Sequence, residues 1–158
     1  MPHRIGKVNN IEKFDSEFFN ILATEAHIMD PMTRMLLEHT YEVIIDAGIN
    51  PKELRGTRTS VITAISQSET QGYFSFTGSE LARLPMTGCN VSFMANTISY
   101  WLGATGQSHS IDTACSSSNY AIVKGYEQIR SGICDAVIIA SASLCLSLHV
   151  QFLFYDLG

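Results

Sequence analysis

The side chains with the most chemical reach fall in one short run, Asp112-Thr113-Ala114-Cys115-Ser116-Ser117-Ser118. Residues 110–113 have the pattern of a short strand, and residues 116–130 carry small or apolar side chains at helical spacing (Ala121, Ile122, Gly125, Tyr126, Ile129) until Gly132 stops the helix. Cys115 therefore falls at a strand-to-helix junction. A helix start presents unpaired N–H groups and about half a positive charge, which favour thiolate over thiol and can lower a cysteine pKa from ~8.5 toward roughly 3.5–7.5. The same N–H groups can hold the oxygen of a tetrahedral intermediate, so the chemistry this position suits is acyl transfer. A second reading stands beside it: free cysteine is among the most buried residue types, and Cys115 could simply fill a crowded turn. Ser117 as a hydrolase nucleophile has no G-x-S-x-G elbow around it, so the three serines read as small polar residues of a first helical turn. Asp112 reads as a group that holds the turn.

The elements that must position this junction are legible on both sides of it. Residues 135–140, Asp-Ala-Val-Ile-Ile-Ala, are apolar and β-branched enough for a strand buried on both faces. Upstream, a short helix is expected around residues 15–20. Asp30 then caps a long helix with Pro31 at its first position, with Met32, Met35, Leu36, His39, Val43 and Ala47 on the inward face and Gly48 as its stop. Residues 59–66 read as a buried strand, and 67–85 as a long irregular insertion with a short helix at 79–84. Val91, Met94, Ala95, Ile98, Trp101 and Leu102 form an amphipathic stripe closed by Gly103. Helices alternating with strands imply an α/β fold with a parallel or mixed sheet.

With 158 residues and 46% hydrophobic content, the chain can build one domain with a real core. Its net charge is -5 and its ten Lys and Arg are scattered, which argues against nucleic acid or an anionic membrane surface as partner. Cys89, Cys115, Cys134 and Cys145 show neither C-x-x-C pairing nor zinc-site spacing, so no metal site or disulfide framework is expected. Residues 1–10 lack the apolar core of a signal peptide, and no run approaches the ~18 apolar residues of a membrane span. A cytoplasmic protein is expected.

Asp112-Thr113-Ala114-Cys115-Ser116-Ser117-Ser118 resembles the nucleophile motif of the β-ketoacyl synthases, the condensing enzymes of fatty acid and polyketide synthesis. Further segments resemble the same family in the same order: Phe14-Asp15-Ser16-Glu17-Phe18-Phe19, Met29-Asp30-Pro31 with Arg34-Met35-Leu36-Leu37-Glu38, Asp46-Ala47-Gly48-Ile49, and Leu54-Arg55-Gly56. Asn50-Pro51 and Ser68-Glu69-Thr70 look closest to the animal type of multifunctional fatty acid synthase. The resemblance implies a thiolase-like fold of αβαβα layers, of which residues 1–158 are most of the first half, a partial N-terminal domain. It implies that Cys115 is the catalytic residue, accepting an acyl group from the phosphopantetheine arm of an acyl carrier protein before decarboxylative Claisen condensation with malonyl-carrier protein. No cofactor or metal is expected on the domain itself, and a homodimer paired through the sheet edge near the nucleophile is implied.

The family's two catalytic histidines lie in H-G-T-G-T-like and N-x-G-H-like motifs that these residues do not contain. Of His3, His27, His39, His109 and His149, His39 reads as a packing residue and His109, six residues before Cys115, as the one that could approach it. The resemblance therefore implies a segment cut at both ends and not competent alone, with a polyketide synthase ketosynthase or a catalytically incompetent truncated chain as the alternatives. Departures from the family pattern occur at Gln107, where Gly-Pro-Ser is usual, at Asn119, where an apolar residue is usual, and at Ser141-Ala142, where Gly-Gly is usual.

Overall fold

The computed structural model describes residues 6–77 and 86–156. Its centre is a three-stranded parallel sheet in the order β2-β1-β3, with β1 at Thr59–Ala64, β2 at Ser108–Ile111 and β3 at Ala136–Ser141. Val61 pairs with Ser108 on one side and Ile138 on the other, so every strand runs toward the same edge. β1 is buried along its whole length, as its Thr-Ser-Val-Ile-Thr-Ala sequence demands of a central strand.

Alternation along β1 divides the core between two helical layers. Val61, followed beyond the strand by Ile65, joins Leu36, Leu37, Met94, Ala95, Ile98 and Leu102 from α2 (Pro31–Asp46) and α5 (Val91–Leu102). Ile62 and Ala64 face the other way and meet Ala121 of α6 (Ser117–Arg130), with Ile111, Val137 and Ile139 alongside. The result is helix, sheet and helix in three layers.

The boundaries follow local chemistry. The buried Asp30 carboxylate accepts the Met32 N–H at 2.7 Å with Pro31 behind it, and Asn90 caps α5 by accepting from Ser92 at 2.9 Å. Gly103, at φ +65°, ends α5 in the left-handed conformation. β2 begins and ends two residues before its expected range, β1 is two residues shorter, and β3 is shifted by one.

Several sequence expectations are corrected. Residues 16–20 form turns rather than a helix, with Asp15 accepting the Phe18 N–H, and the helix lies further on as α1 (Ala23–Ile28). The buried face of α2 is Met32, Thr33, Leu36, Leu37, Thr40 and Ile44, which leaves Val43 and His39 outside. His39 is thus no packing residue: it is exposed, 2.8 Å from Glu42. Two threonines turn the stripe, and the Thr33 hydroxyl donates to the Gly88 carbonyl. The insertion is not irregular at its start, because Glu69–Thr77 forms α3, capped where the Ser68 hydroxyl accepts the Gln71 N–H. The helix expected at 79–84, like His3, lies outside the described residues. After it come α4 (Met86–Cys89) and, past β3, α7 (Leu148–Asp156).

Ser141 and Ala142 fit where glycines were expected. The Ser141 hydroxyl donates to the Ala64 carbonyl at 2.9 Å, and Ala142 packs against the α2/α5 core. Gln107 accepts from the Gln128 amide and ties the start of β2 to α6, while Asn119 points into solvent.

Candidate functional site

All three strands end at one edge, and the loop leaving β2 there carries Cys115. Ile111 closes the strand, Ala114–Ser116 make a single 3-10 turn, and α6 starts at Ser117. Cys115 is exposed in the middle of that turn. Ala114, immediately before it, has φ +53°, a left-handed conformation that costs a residue with a Cβ about 1–2 kcal/mol. No sequence signal marked this, because alanine is not a residue type that announces φ > 0.

Neighbouring side chains hold the strained residue from both ends. Asp112 Oδ1 accepts the Ala114 N–H at 2.9 Å and a hydroxyl proton from Ser66 at 2.8 Å. These two donors hold the Asp112 carboxyl below the usual carboxylate range, the Ala114 amide contributing more than Ser66. On the other side the Ser117 hydroxyl donates to the Ala114 carbonyl at 2.6 Å and accepts the Thr113 N–H at 2.8 Å. Ser116 donates to the Thr113 carbonyl at 2.7 Å. Ser116 and Ser117 are therefore committed to the turn, and Ser117 is buried as well, which removes the hydrolase alternative.

No side chain caps α6; the preceding 3-10 turn meets its start with carbonyls, Thr113 accepting the Ser116 N–H at 3.3 Å and Ala114 the Ser117 N–H. The geometry offers an exposed sulfur two residues before the start of a fourteen-residue helix, whose positive end suits a developing oxyanion. The other cysteines differ. Cys89 and Cys134 are buried, and Cys145 is exposed on the loop before α7. Burial first, and the Asp30 carboxylate second, push the Cys89 thiol up to about 11.

Among the described residues no hydrogen bond or ion pair joins a histidine to Cys115. His109 lies in β2 opposite Ile62 and shares its strand face with Ile111, half-buried on the α6 side of the sheet. Nor do His, Cys, Asp and Glu side chains cluster in a way that could hold a metal ion among the described residues. A cavity of about 980 Å³ is lined by Val8, Ile11, Leu144, Cys145, Phe154 and Tyr155, and one of about 380 Å³ by Phe18, Tyr41, Arg55 and Trp101. Neither includes Cys115. No described helix is long and apolar enough to cross a membrane.

A sequence model of the family described as β-ketoacyl synthase, N-terminal domain, matches residues 2–158. The fatty acid synthase of the goose Anser anser anser is 44% identical over all of this chain and 45% of that protein. The polyketide synthase component of lovastatin nonaketide synthase from Aspergillus terreus is 40% identical over 92% of this chain and 5% of that protein. Among solved structures, the ketosynthase from module 6 of the bacillaene synthase of Bacillus subtilis superposes with a TM-score of 0.84 at 29% identity, over 97% of this chain and 26% of that one. The chain spans less than half the length of each.

Proposed function

The chain belongs to the β-ketoacyl synthase family and has its thiolase-like α/β fold, and from that membership we propose that it forms the nucleophile-bearing part of a fatty acid synthase ketosynthase. The observation that carries this reading is the presentation of Cys115: an exposed thiol held on a left-handed Ala114 at the uncapped start of α6. In the reaction, the Cys115 thiolate attacks the carbonyl carbon of an acyl thioester on the phosphopantetheine arm of an acyl carrier protein. The oxyanion is held by backbone N–H groups, the carbon–sulfur bond to the arm breaks, and the arm's thiolate leaves and takes up a proton. Malonyl-carrier protein then loses carbon dioxide, and the carbanion attacks the Cys115 thioester, forms the new carbon–carbon bond and expels the cysteine thiolate. That second step needs proton donors and charge stabilisers that no described contact brings to Cys115.

Fatty acid synthase is favoured over polyketide synthase by the 44% identity to the goose enzyme across the whole chain, against 40% over 92% for the lovastatin synthase component. The reading includes a cytoplasmic location, no cofactor bound by this domain itself, and a homodimer in which β2, an outer strand of the described sheet, offers its free edge. Incubation with an acyl-phosphopantetheine thioester, followed by peptide mass analysis, tests it. An acyl adduct on Cys115 that disappears in Cys115→Ala is expected. An adduct on Cys145 instead, or one that survives Cys115→Ala, would overturn the reading.

A further inference from the structure

We propose that Ser66, in the loop after β1, is a positioning residue for the Cys115 thiol, acting through the Asp112 carboxylate and the Ala114 backbone. This rests on the proposed role of Cys115 as the acyl acceptor. Ser66 and Ala114 both donate to the same oxygen, Asp112 Oδ1, at 2.8 and 2.9 Å. An exposed aspartate on a loop can rotate its carboxylate freely, and a second donor fixed elsewhere removes that freedom. Ser66 is such a donor. The preceding Ile65 is buried in the α2/α5 core, and the next hydroxyl along, Ser68, donates to the buried Asp30 Oδ2. Glu69, adjacent again, accepts the N–H groups of Leu146 and Ser147 at the start of α7. The loop is thus tied down on three sides, and Ser66 extends that rigidity across 46 positions of sequence to the turn that carries the thiol. The turn needs it because a left-handed alanine relaxes unless its N–H is held, and relaxation would re-aim the next residue, Cys115.

The test measures saturation kinetics of acyl transfer from an acyl-phosphopantetheine thioester to the full chain, and in parallel the rate of Cys115 alkylation by iodoacetamide. Loss of a hydrogen bond to a charged group predicts that Ser66→Ala lowers the maximal acylation rate on the order of ten-fold. The half-saturation concentration should stay unchanged because Ser66 touches no substrate, and alkylation should slow in parallel. Ser66→Thr, which keeps the hydroxyl, should restore both rates. If Ser66→Ala does not fold, Ser66→Cys keeps the volume with only a weak donor and serves the same comparison. Unchanged rates in the variant lacking the hydroxyl, a loss that Ser66→Thr does not repair, or an effect confined to half-saturation would each overturn the positioning role, while a null Cys115→Ala control would leave the proposed function standing. Acylation that persists in Cys115→Ala would overturn the proposed function and this inference with it.

Discussion

At the scale of single residues, burial and position sort the four thiols. Cys115 and Cys145 are exposed and Cys89 and Cys134 are not, so access alone separates two pairs. Of the exposed pair, Cys115 lies two residues before the fourteen-residue α6 and Cys145 three residues before the nine-residue α7, and iodoacetamide should therefore label Cys115 first, Cys145 more slowly, and the buried pair only on unfolding. Equal rates at Cys115 and Cys145, measured by peptide mass analysis, would mean that exposure rather than the helix start sets reactivity. Cys89 gives a second expectation. Its Sγ donates to the Ile28 carbonyl at 3.1 Å, and its folded-state pKa is raised from 9.0 to about 11. The fold therefore keeps a proton that the unfolded chain releases: the stability held by the neutral thiol is fully present below 9.0 and is lost as the pH rises through about 11. Urea titrations across that window should show stability falling by at most ~1.4 kcal/mol per pH unit from this group, and Cys89→Ala should flatten the fall. Of the site itself, the thiol, its junction and the turn-holding role of Asp112 were legible in sequence because they are local. Ala114's φ and the Ser66 contact were not, since one is a property of backbone geometry and the other joins residues far apart in the chain.

At the scale of elements, the same division between local and distant information explains what sequence reading achieved. α5 matches its expected range, because one apolar stripe, an Asn cap and a glycine stop all agree. On α6 the expected apolar face included Ile122, Tyr126 and Ile129, yet the buried positions are Ser117, Ala121, Gly125 and Gln128. Close approach to the sheet selects small residues: a Cβ on Gly125 would lie 3.0 Å from Ile139 Cδ1 and from Val137 Cγ1. Gly106 is tighter still. A Cβ there would overlap the Thr59 carbonyl and lie 2.6 Å from the Ser60 nitrogen, where β1 backbone cannot yield. Gly106→Ala should cost about 3 kcal/mol, and Gly125→Ala, meeting only side-chain tips, about 1 kcal/mol. Chemical denaturation compares them, and a smaller loss at Gly106 than at Gly125 would contradict this account of the packing.

At the scale of the whole molecule, three residues that sequence patterning assigned to the inward face of α6, Ile122, Tyr126 and Ile129, lie on the surface. Ile122, Tyr126, Ile129 and Ile133 follow one another at helical spacing along the outer side of α6 and its end, exposed by 57, 59, 48 and 47%. Tyr120 and Val123 flank them, and α7 separately exposes Leu148, Phe152, Leu153, Phe154 and Tyr155, each at least half exposed. Scattered surface apolar groups are ordinary, but a contiguous stripe is not, and patches beyond a few hundred Å² drive association. The 158-residue chain should therefore self-associate with rising concentration and bind a hydrophobic dye while its sheet is intact. Ile122→Glu and Ile129→Lys act on the stripe without touching the Ala121 and Gly125 contacts, so each should reduce association while changing unfolding stability by no more than about 0.5 kcal/mol. Sedimentation velocity over a concentration series decides it. A single monomeric species at every concentration would show that the α6 stripe does not act as a sticky face, and loss of folding in Ile122→Glu would show that this side of the helix contributes to the core after all.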